Sequence, residues 1–176
     1  LHGAAHGQAR VESGRLVLDG QESFVVTEPL QKPLAEKTLE VRLTLARLDQ
    51  RGGGAISVES SSGAVFDSVV FGERDPGQWM AGSNNFVRTQ SFDAPPETEP
   101  AAEPVQIVLV YGANRSITAY RNGRPYGRPY QAASLAVFEA GKSRVLFGLR
   151  HSPPGGNRFL AGTIEQAALY DRALSA

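Results

Sequence analysis

The most constraining feature of the sequence is the stretch of residues 105–127, VQIVLVYGANRSITAYRNGRPYG. Its first seven residues form a nearly unbroken apolar run, which is long enough for a strand and too short for a helix. A turn follows at residues 112–115, and a second run at residues 116–121 ends at Asn122-Gly123. Asn-Gly is the strongest two-residue hairpin signal, because both positions of a type I′ turn need positive φ. The stretch therefore predicts an antiparallel meander at the centre of the chain.

The pattern of this meander carries three further expectations. The apolar run predicts a first strand that is buried on both faces. The closing hairpin is expected to project Arg121, Arg124 and Tyr126 outward. Because a type I′ turn needs positive φ at Gly123, we expect Gly123→Val to destabilise the protein more than Gly63→Val does.

The rest of the chain repeats the signals of short antiparallel strands. Residues 39–45 alternate between apolar and polar, which is typical of a strand with one buried face. The glycines at 52–54 predict a bend or bulge in a sheet rather than a phosphate loop, because no helix follows them. A phase shift near Glu165-Gln166 predicts a second bulge in the last strand. We expect ten to twelve strands in a β-sandwich.

Composition narrows the classes of partner. The chain has 176 residues with 18 basic and 18 acidic side chains, so its formal net charge is zero and offers no long-range attraction to nucleic acid. It has no cysteine, which excludes disulfides and thiolate metal sites. No apolar run approaches the roughly 20 residues that a membrane helix needs, so we expect no membrane insertion.

Three segments together resemble a known family. The meander motif I-T-x-Y-x-N-G, the C-terminal GTIEQAALYDRALS and the N-terminal GRLVLDGQESFVVT are similar to laminin-G-like domains of the concanavalin A-like lectin/glucanase superfamily. The resemblance implies an all-β jelly-roll sandwich of two antiparallel sheets, formed by residues 1–176 as a single domain. Folds of this kind host lectins, adhesion modules, glycanases and spacers, so the resemblance leaves the function open.

The resemblance also suggests a biological setting. The combination of FDSVVFGERDPGQWMAGSNNFVRT with YRNGRPYG and LFGLRH is similar to laminin-G-like domains inserted in large multidomain planctomycete-type secreted proteins. This implies a domain of a longer exported protein, located outside the cell, in the periplasm or at the cell surface. Its partner would be a glycan or a neighbouring protein domain, and the isolated domain is expected to be monomeric.

Catalytic and metal motifs are weak in this sequence. Retaining glucanases of the superfamily carry E-x-D-x-E or E-x-D-x-x-E, which places two carboxylates on one face of a strand, and neither motif occurs here. We therefore expect no enzymatic activity and no catalytic residue. Calcium needs six to eight oxygen ligands. Its candidate ligands are scattered single carboxylates, which form a site only if the fold brings them together: Asp19, Asp67, Glu73 and Asp171.

The strongest candidate for a binding site combines three segments, at residues 73–88, 121–130 and 150–151. Sugar sites use an aromatic face for the C–H side of the ring and planar polar groups for the hydroxyls. These segments supply both, with Trp79 and Tyr126 as aromatic platforms. The predicted ligand-binding residues are Arg74, Trp79, Asn84, Arg88, Arg121, Tyr126 and Arg150. The structural alternative is that Trp79 belongs to the core and that the arginines pair with glutamates.

Three functions remain open from the sequence. The first is non-catalytic recognition of a glycan, the second is docking of neighbouring domains, and the third is an atypical glycan-cleaving enzyme. The acidic, proline-rich loop at residues 91–104 is unusually long, and loops of that length are commonly functional or mobile. Whether it covers a sheet face decides how much of the sandwich a ligand can reach.

Overall fold

The computed structural model describes residues 2–99, 103–154 and 159–175, and strands dominate it. The described residues also include a short 3-10 turn at Asn84–Phe86. The fourteen strands of the described residues are β1 (Gly3–His6), β2 (Arg10–Glu12), β3 (Arg15–Asp19), β4 (Phe24–Thr27), β5 (Lys37–Leu45), β6 (Gly53–Ser60), β7 (Phe66–Phe71), β8 (Trp79–Ser83), β9 (Val105–Tyr111), β10 (Ser116–Arg121), β11 (Arg124–Pro125), β12 (Tyr130–Gln131), β13 (Ser143–Phe147) and β14 (Ala161–Tyr170).

The strands form two antiparallel sheets, as the jelly-roll prediction required. The six-stranded sheet has the order β1-β4-β13-β6-β7-β8, and the eight-stranded sheet has the path β11-β10-β9-β5-β14-β3-β2, with β12 also pairing with β10. Apolar side chains of both inner faces fill the space between the sheets, including Leu39, Ile56, Val69, Leu109 and Trp79. This confirms the all-β sandwich.

The central meander is present with the predicted turn. β9 pairs with β10 in antiparallel register, and Asn122 and Gly123 have φ of 49° and 73°, as a type I′ turn needs. The prediction that β9 is buried on both faces is wrong. Val105, Ile107, Leu109 and Tyr111 are buried, whereas the residues between them are only half-buried, because their face is the outer face of the eight-stranded sheet.

Both predicted bulges occur. The register of β6 against β7 shifts between Gly54 and Ile56, and that of β14 against β5 shifts between Ile164 and Gln166. The second bulge leaves β14 with two different halves. Gly162 to Ile164 pairs with both β3 and β5, whereas the residues from Gln166 onward pair with β5.

One connecting segment packs along the side of the sandwich. The described part of the predicted acidic loop, residues 91–99 and 103–104, runs along the side of the sandwich, where Phe92 is buried against Tyr126 and Tyr130. Residues 100–102 lie outside the described residues. Within the described ranges, the structure has no helix with the length and hydrophobicity needed to cross a membrane.

Candidate functional site

Three of the predicted ligand-binding residues surround Glu97 at one end of the sandwich. Arg121 donates from Nε and Nη2 to the two oxygens of the Glu97 carboxylate at 2.6 and 2.9 Å, and Trp79 Nε1 donates to the same group at 3.1 Å. Tyr126 Oη accepts from the Trp79 amide at 3.1 Å. These contacts attach the acidic loop to the sandwich. They match the alternative in which Trp79 belongs to the core and the arginines pair with glutamates.

The exposure that a stacking platform needs is absent from both predicted aromatic residues. Trp79 is 1% exposed and packs against Phe71 with ring centroids 4.9 Å apart, so its faces lie in the core. Tyr126 is 5% exposed, and burial raises the pKa of its hydroxyl. The prediction that Tyr126 projects outward is wrong, because the acidic loop packs over it. Arg121 and the exposed Arg124 line a surface pocket of about 300 Å³, to which the edge of Tyr126 also contributes.

Asn84 and Arg88 belong to a second, buried group. Arg88 Nε donates to Asp67 Oδ1 at 2.7 Å, while its Nη2 donates to Asn84 Oδ1 at 2.8 Å. The other oxygen of Asp67 lies 2.8 Å from Nζ of Lys37, and both of these side chains are fully buried. Burial lowers the pKa of Lys37, and the Asp67 carboxylate opposes that shift. This cluster joins the two sheets, since Lys37 is on β5 and Asp67 is on β7.

Arg74 and Arg150 form a third group around Glu73. The Arg150 guanidinium pairs with Glu73, whose side chain is 3% exposed. Burial raises the pKa of the Glu73 carboxyl, while Arg150 opposes that shift. Arg74 lies over the ring of Phe86 at 5.4 Å from its centroid. Phe86 is 45% exposed, so the exposed aromatic ring of this segment is Phe86 and not Trp79.

The seven residues therefore do not converge on one surface, and ligand binding by Arg74, Arg121 and Arg150 stays a prediction. The candidate calcium ligands are also apart. Asp19 accepts hydrogen bonds from three backbone amides of its own turn. Asp67 and Glu73 take part in the ion pairs described above, and Asp171 pairs with Lys32 at the surface. Among the described residues, no three acidic or histidine side chains form a group that could hold a metal ion.

The outer face of the six-stranded sheet is covered by residues 148–154. Ser57 Oγ on β6 donates to the carbonyl oxygen of Leu149 at 3.0 Å. The fully buried Glu59 accepts from the amide of Ser152 at 2.8 Å and from its hydroxyl at 2.7 Å. His151 stacks on Phe66 with ring centroids 4.6 Å apart. The segment that covers a sheet face is thus this one, which we call the cover segment, rather than the acidic loop.

The outer face of the eight-stranded sheet carries a trough of about 300 Å³. We refer to it as the trough, and it is lined by Glu40, Gln106, Val108, Val110, Tyr120, Gly123, Leu174 and Ser175. The strand register places Tyr120 beside Val108, and Val108 beside Glu40, across β10, β9 and β5. Glu40, Gln106, Val108 and Tyr120 are all half-buried, so each side chain also meets solvent.

The polar groups of the trough are held in fixed positions. Gln106 Nε2 donates to Glu40 Oε1 at 2.5 Å, and Tyr170 Oη donates to Glu40 Oε2 at 3.0 Å. The C-terminal segment forms one wall, because Thr38 Oγ1 donates to the Arg172 carbonyl and accepts from the Leu174 amide, both at 3.0 Å. A planar carboxylate, a planar amide and a phenol ring thus stand together on a sheet surface, which suits a ligand with hydroxyls and C–H faces.

The sequence contained a signal for this trough. The alternation of residues 39–45 already separates Glu40 from the buried face, and the Asn122-Gly123 turn fixes the register that places Tyr120 opposite Val108. The pairing of β9 with β5 is the information that local patterns lack. Without that pairing, the sequence does not indicate that Glu40 and Gln106 lie side by side.

The fold resembles several solved structures, with identities that support the fold alone. Domain 4 of AbnA, an extracellular arabinanase from Geobacillus stearothermophilus solved with arabinotriose, aligns with a TM-score of 0.68 and 14% identity over 98% of this chain and 77% of that one. A heptameric SAP-like pentraxin from Limulus polyphemus aligns with a TM-score of 0.69 and 17% identity, over 92% and 77%. The CBM40 of a Ruminococcus gnavus sialidase, bound to α2,3-sialyllactose, aligns with a TM-score of 0.61 and 12% identity, over 81% of this chain and 79% of that one.

Family membership comes from the sequence itself. No match was found among curated protein sequences. A laminin-G-like family model, described as concanavalin A-like lectin/glucanases superfamily, matches residues 18–176. That range includes the meander, the cover segment and all strands of the trough. The chain therefore belongs to the concanavalin A-like lectin/glucanases superfamily.

Proposed function

We propose that this domain is a non-catalytic module that recognises a glycan, and that the glycan binds in the trough. The observation that carries the proposal is the arrangement of Glu40, Gln106 and Tyr120 on an outer sheet face, where all three are half-buried. In this arrangement Tyr120 would pack against the C–H face of a sugar ring, while Glu40 and Gln106 would bond its hydroxyls.

The bond between Gln106 and Glu40 supports this role. A ligand that binds mobile side chains must fix their rotamers, and each immobilised side chain costs about 0.5–1.5 kcal/mol. Here the carboxylate and the amide are already fixed by each other and by Tyr170. The trough is therefore prepared for a polar ligand before the ligand arrives.

Two structural neighbours support the ligand class. The arabinanase domain was solved with arabinotriose and the CBM40 with sialyllactose, so this sandwich carries glycan sites in other proteins. Because the fold is compatible with several functions, the neighbours provide support at the level of the ligand class. We also propose that the domain works outside the cytoplasm within a larger exported protein, as the resemblance in its sequence implies.

A docking module is the second candidate. Phe86 and Val87 are adjacent and are 45% and 53% exposed. Asn85 and Phe86 also have φ of 49° and 57°, an arrangement that non-glycine residues rarely adopt. Exposed apolar side chains on a strained turn would suit contact with a neighbouring domain.

Binding to oligosaccharides tests the two candidates together. The probes are arabinotriose, α2,3-sialyllactose and an immobilised glycan array, applied to the wild-type domain, Tyr120→Ala and Phe86→Ala. Phe86→Ala is the matched control, because it removes an exposed aromatic side chain outside the trough. We expect Tyr120→Ala to weaken binding about tenfold or more, which corresponds to about 1.4 kcal/mol, and Phe86→Ala to leave binding unchanged. Loss in Phe86→Ala alone, or no binding to any probe, would contradict the proposal.

A further inference from the structure

A cleft opens between the two sheets. It has a volume of about 610 Å³, which lies within the range of ligand clefts. Both sheets contribute apolar side chains to it, and the loop that follows β4 contributes two leucines. These apolar residues are Leu30, Leu34, Ile56, Val145, Phe147 and Leu169.

One side of this cleft is formed by the second half of β14. β3 pairs with β14 as far as Ile164, and the bulge follows at once. Beyond it, Gln166 to Tyr170 pairs with β5 on one edge. Within the described residues, no backbone hydrogen bond reaches the other edge of these five residues. Alternate N–H and C=O groups of a strand point to each edge, so this edge presents donors and acceptors that have no backbone partner among the described residues.

We infer that the edge of β14 at residues 166–170 binds an extended peptide of another protein, which adds as a strand and places alternate apolar side chains in the cleft. Backbone bonds to an open edge supply affinity in this mode, and pockets for alternate side chains supply specificity. Ala167 and Leu169 share a face with Val41 and Leu39, their partners on β5, and both of these partners are core residues. A peptide strand beside them would direct every second side chain towards the same interior.

The charges of the cleft select the kind of peptide. Lys32 and Asp171 pair at 3.7 Å and are 78% and 50% exposed, so they lie at the opening of the cleft. Their opposite charges cancel. The remaining lining combines apolar side chains with neutral polar groups. A neutral, apolar floor matches apolar side chains, whereas a charged side chain would lose its hydration there. Five residues of strand span about 17 Å, which limits the bound segment to about six residues.

Ion pairs occupy the end of this edge that lies next to the bulge. Glu165, at the bulge, pairs with Arg15 at 2.7 Å and with Arg42 at 3.0 Å. These pairs hold the β2–β3 hairpin at the point where β3 leaves β14. A peptide strand would therefore continue the row of β3 and would begin after Glu165. This inference is independent of the trough, because the cleft lies on the inner side of the eight-stranded sheet.

A phage-displayed library of random octapeptides is the probe for this site. We expect it to enrich sequences with alternating apolar residues. Binding of an enriched peptide should fall about tenfold or more in Ala167→Trp, which fills the cleft from an exposed position. Ala113→Trp is the matched control, since Ala113 is also exposed but lies in the turn after β9. Its affinity for the peptide should equal that of the wild type.

Two further measurements separate strand addition from simple burial of apolar groups. N-methylation of alternate residues removes donors from one edge of the peptide, so one methylation pattern should abolish binding and the other should not. Hydrogen exchange of the wild-type domain should slow at residues 166–170 when the peptide binds. Lack of enrichment, equal binding of both methylated peptides or unchanged exchange would overturn the inference. Dimerisation of the domain without peptide, with protection of the same residues, would assign the edge to a second copy and would also overturn it.

Discussion

The outer faces of the two sheets each carry a glutamate, but the two side chains differ in burial. On the six-stranded sheet, Glu59 points outward and is fully buried, because the cover segment lies over it and Ser152 bonds both of its oxygens. On the eight-stranded sheet, Glu40 also points outward but is half-buried in the trough. Glu59 therefore has its bonds within the protein, whereas Glu40 is accessible to solvent.

This difference shows that strand alternation alone does not identify a binding face. Both sheets place polar residues on their outer sides, as antiparallel sheets commonly do. The fate of those residues depends on whether a connecting segment returns across them. Here the segment after β13 returns across the six-stranded sheet, and its carbonyl and amide groups pair with Ser57 and Glu59. The polar groups of that face are already bonded within the protein.

The largest expected effect is the difference in stability between two single variants, Glu59→Ala and Glu40→Ala. Glu59→Ala removes the acceptor of the Ser152 amide and the acceptor of Arg144 Nε, which bonds Glu59 at 2.9 Å. We expect a loss of about 3–5 kcal/mol in the free energy of unfolding, as when one partner of a buried pair is removed. Glu40→Ala should lose about 1 kcal/mol or less, because its bonds lie partly in solvent. Urea unfolding of both variants measures the two values.

The same two variants should show the opposite order in glycan binding. Glu40→Ala removes an acceptor from the trough and should weaken binding at a temperature where both variants are folded, whereas Glu59→Ala should bind as the wild type does. Equal losses of stability in the two variants would break the comparison between the faces. Weaker binding by Glu59→Ala alone would move the glycan site to the covered face.

A smaller effect is expected from two glycines with positive φ. Gly63 has φ of 70°, and a side chain there would overlap the carbonyl oxygen of Ser152 in the cover segment. Gly123 has φ of 73°, and a side chain there would meet open space. We expect Gly123→Ala to lose about 1–2 kcal/mol from backbone strain. Gly63→Ala should lose about 1–3 kcal/mol more from overpacking. Thermal unfolding of both variants checks the order.

This order reverses the one that the sequence predicts for the two glycines. The Asn-Gly pair correctly identifies the type I′ turn, so its backbone strain is predictable from local sequence. The contact between Gly63 and Ser152 joins residues far apart in the chain, and local patterns contain no information about it. Equal losses in Gly63→Ala and Gly123→Ala would show that the cover segment moves aside readily.

The same distinction explains how much of the fold was predictable. Hairpins, bulges and alternation depend on neighbouring residues, and the meander, the bulge after Ile164 and the two-sheet sandwich were all correctly predicted. For Trp79 the sequence leaves a core position and a platform both open, and it does not predict the burial of Tyr126, which depends on Phe92 of the acidic loop packing against that ring. A loop without periodicity gives no indication of the surface it will cover.

The candidate site shows the same limit. Arginines and a tryptophan in one segment suggested a sugar site, but the structure uses Arg88 and Arg121 in ion pairs with Asp67 and Glu97. Tyr120, which lies within the predicted meander, is not among the predicted ligand-binding residues. Its position beside Glu40 and Gln106 requires the order β10-β9-β5, which arises from tertiary pairing.

The smallest expected effect is a pH dependence of the covered face. Burial raises the folded-state pKa of Glu73 above its unfolded value. The folded protein therefore keeps a proton that the unfolded chain has lost, and the free energy of unfolding should fall as the pH rises through the interval between the two values. Glu73→Gln should remove this part of the slope. Urea unfolding between about pH 4 and 7 measures it, and parallel curves for the two proteins would contradict the assignment.

The central claim is that the glycan contacts the open face and leaves the covered face unchanged. Methyl-labelled valine and leucine residues report on both faces in one NMR titration with arabinotriose or sialyllactose. Val108, Val110 and Leu174 line the trough, whereas Val70 and Leu149 are buried beneath or within the cover segment. We expect shifts of the methyl groups of Val108, Val110 and Leu174 and none of those of Val70 and Leu149. Shifts confined to Val70 and Leu149, or no shift with either glycan, would contradict it.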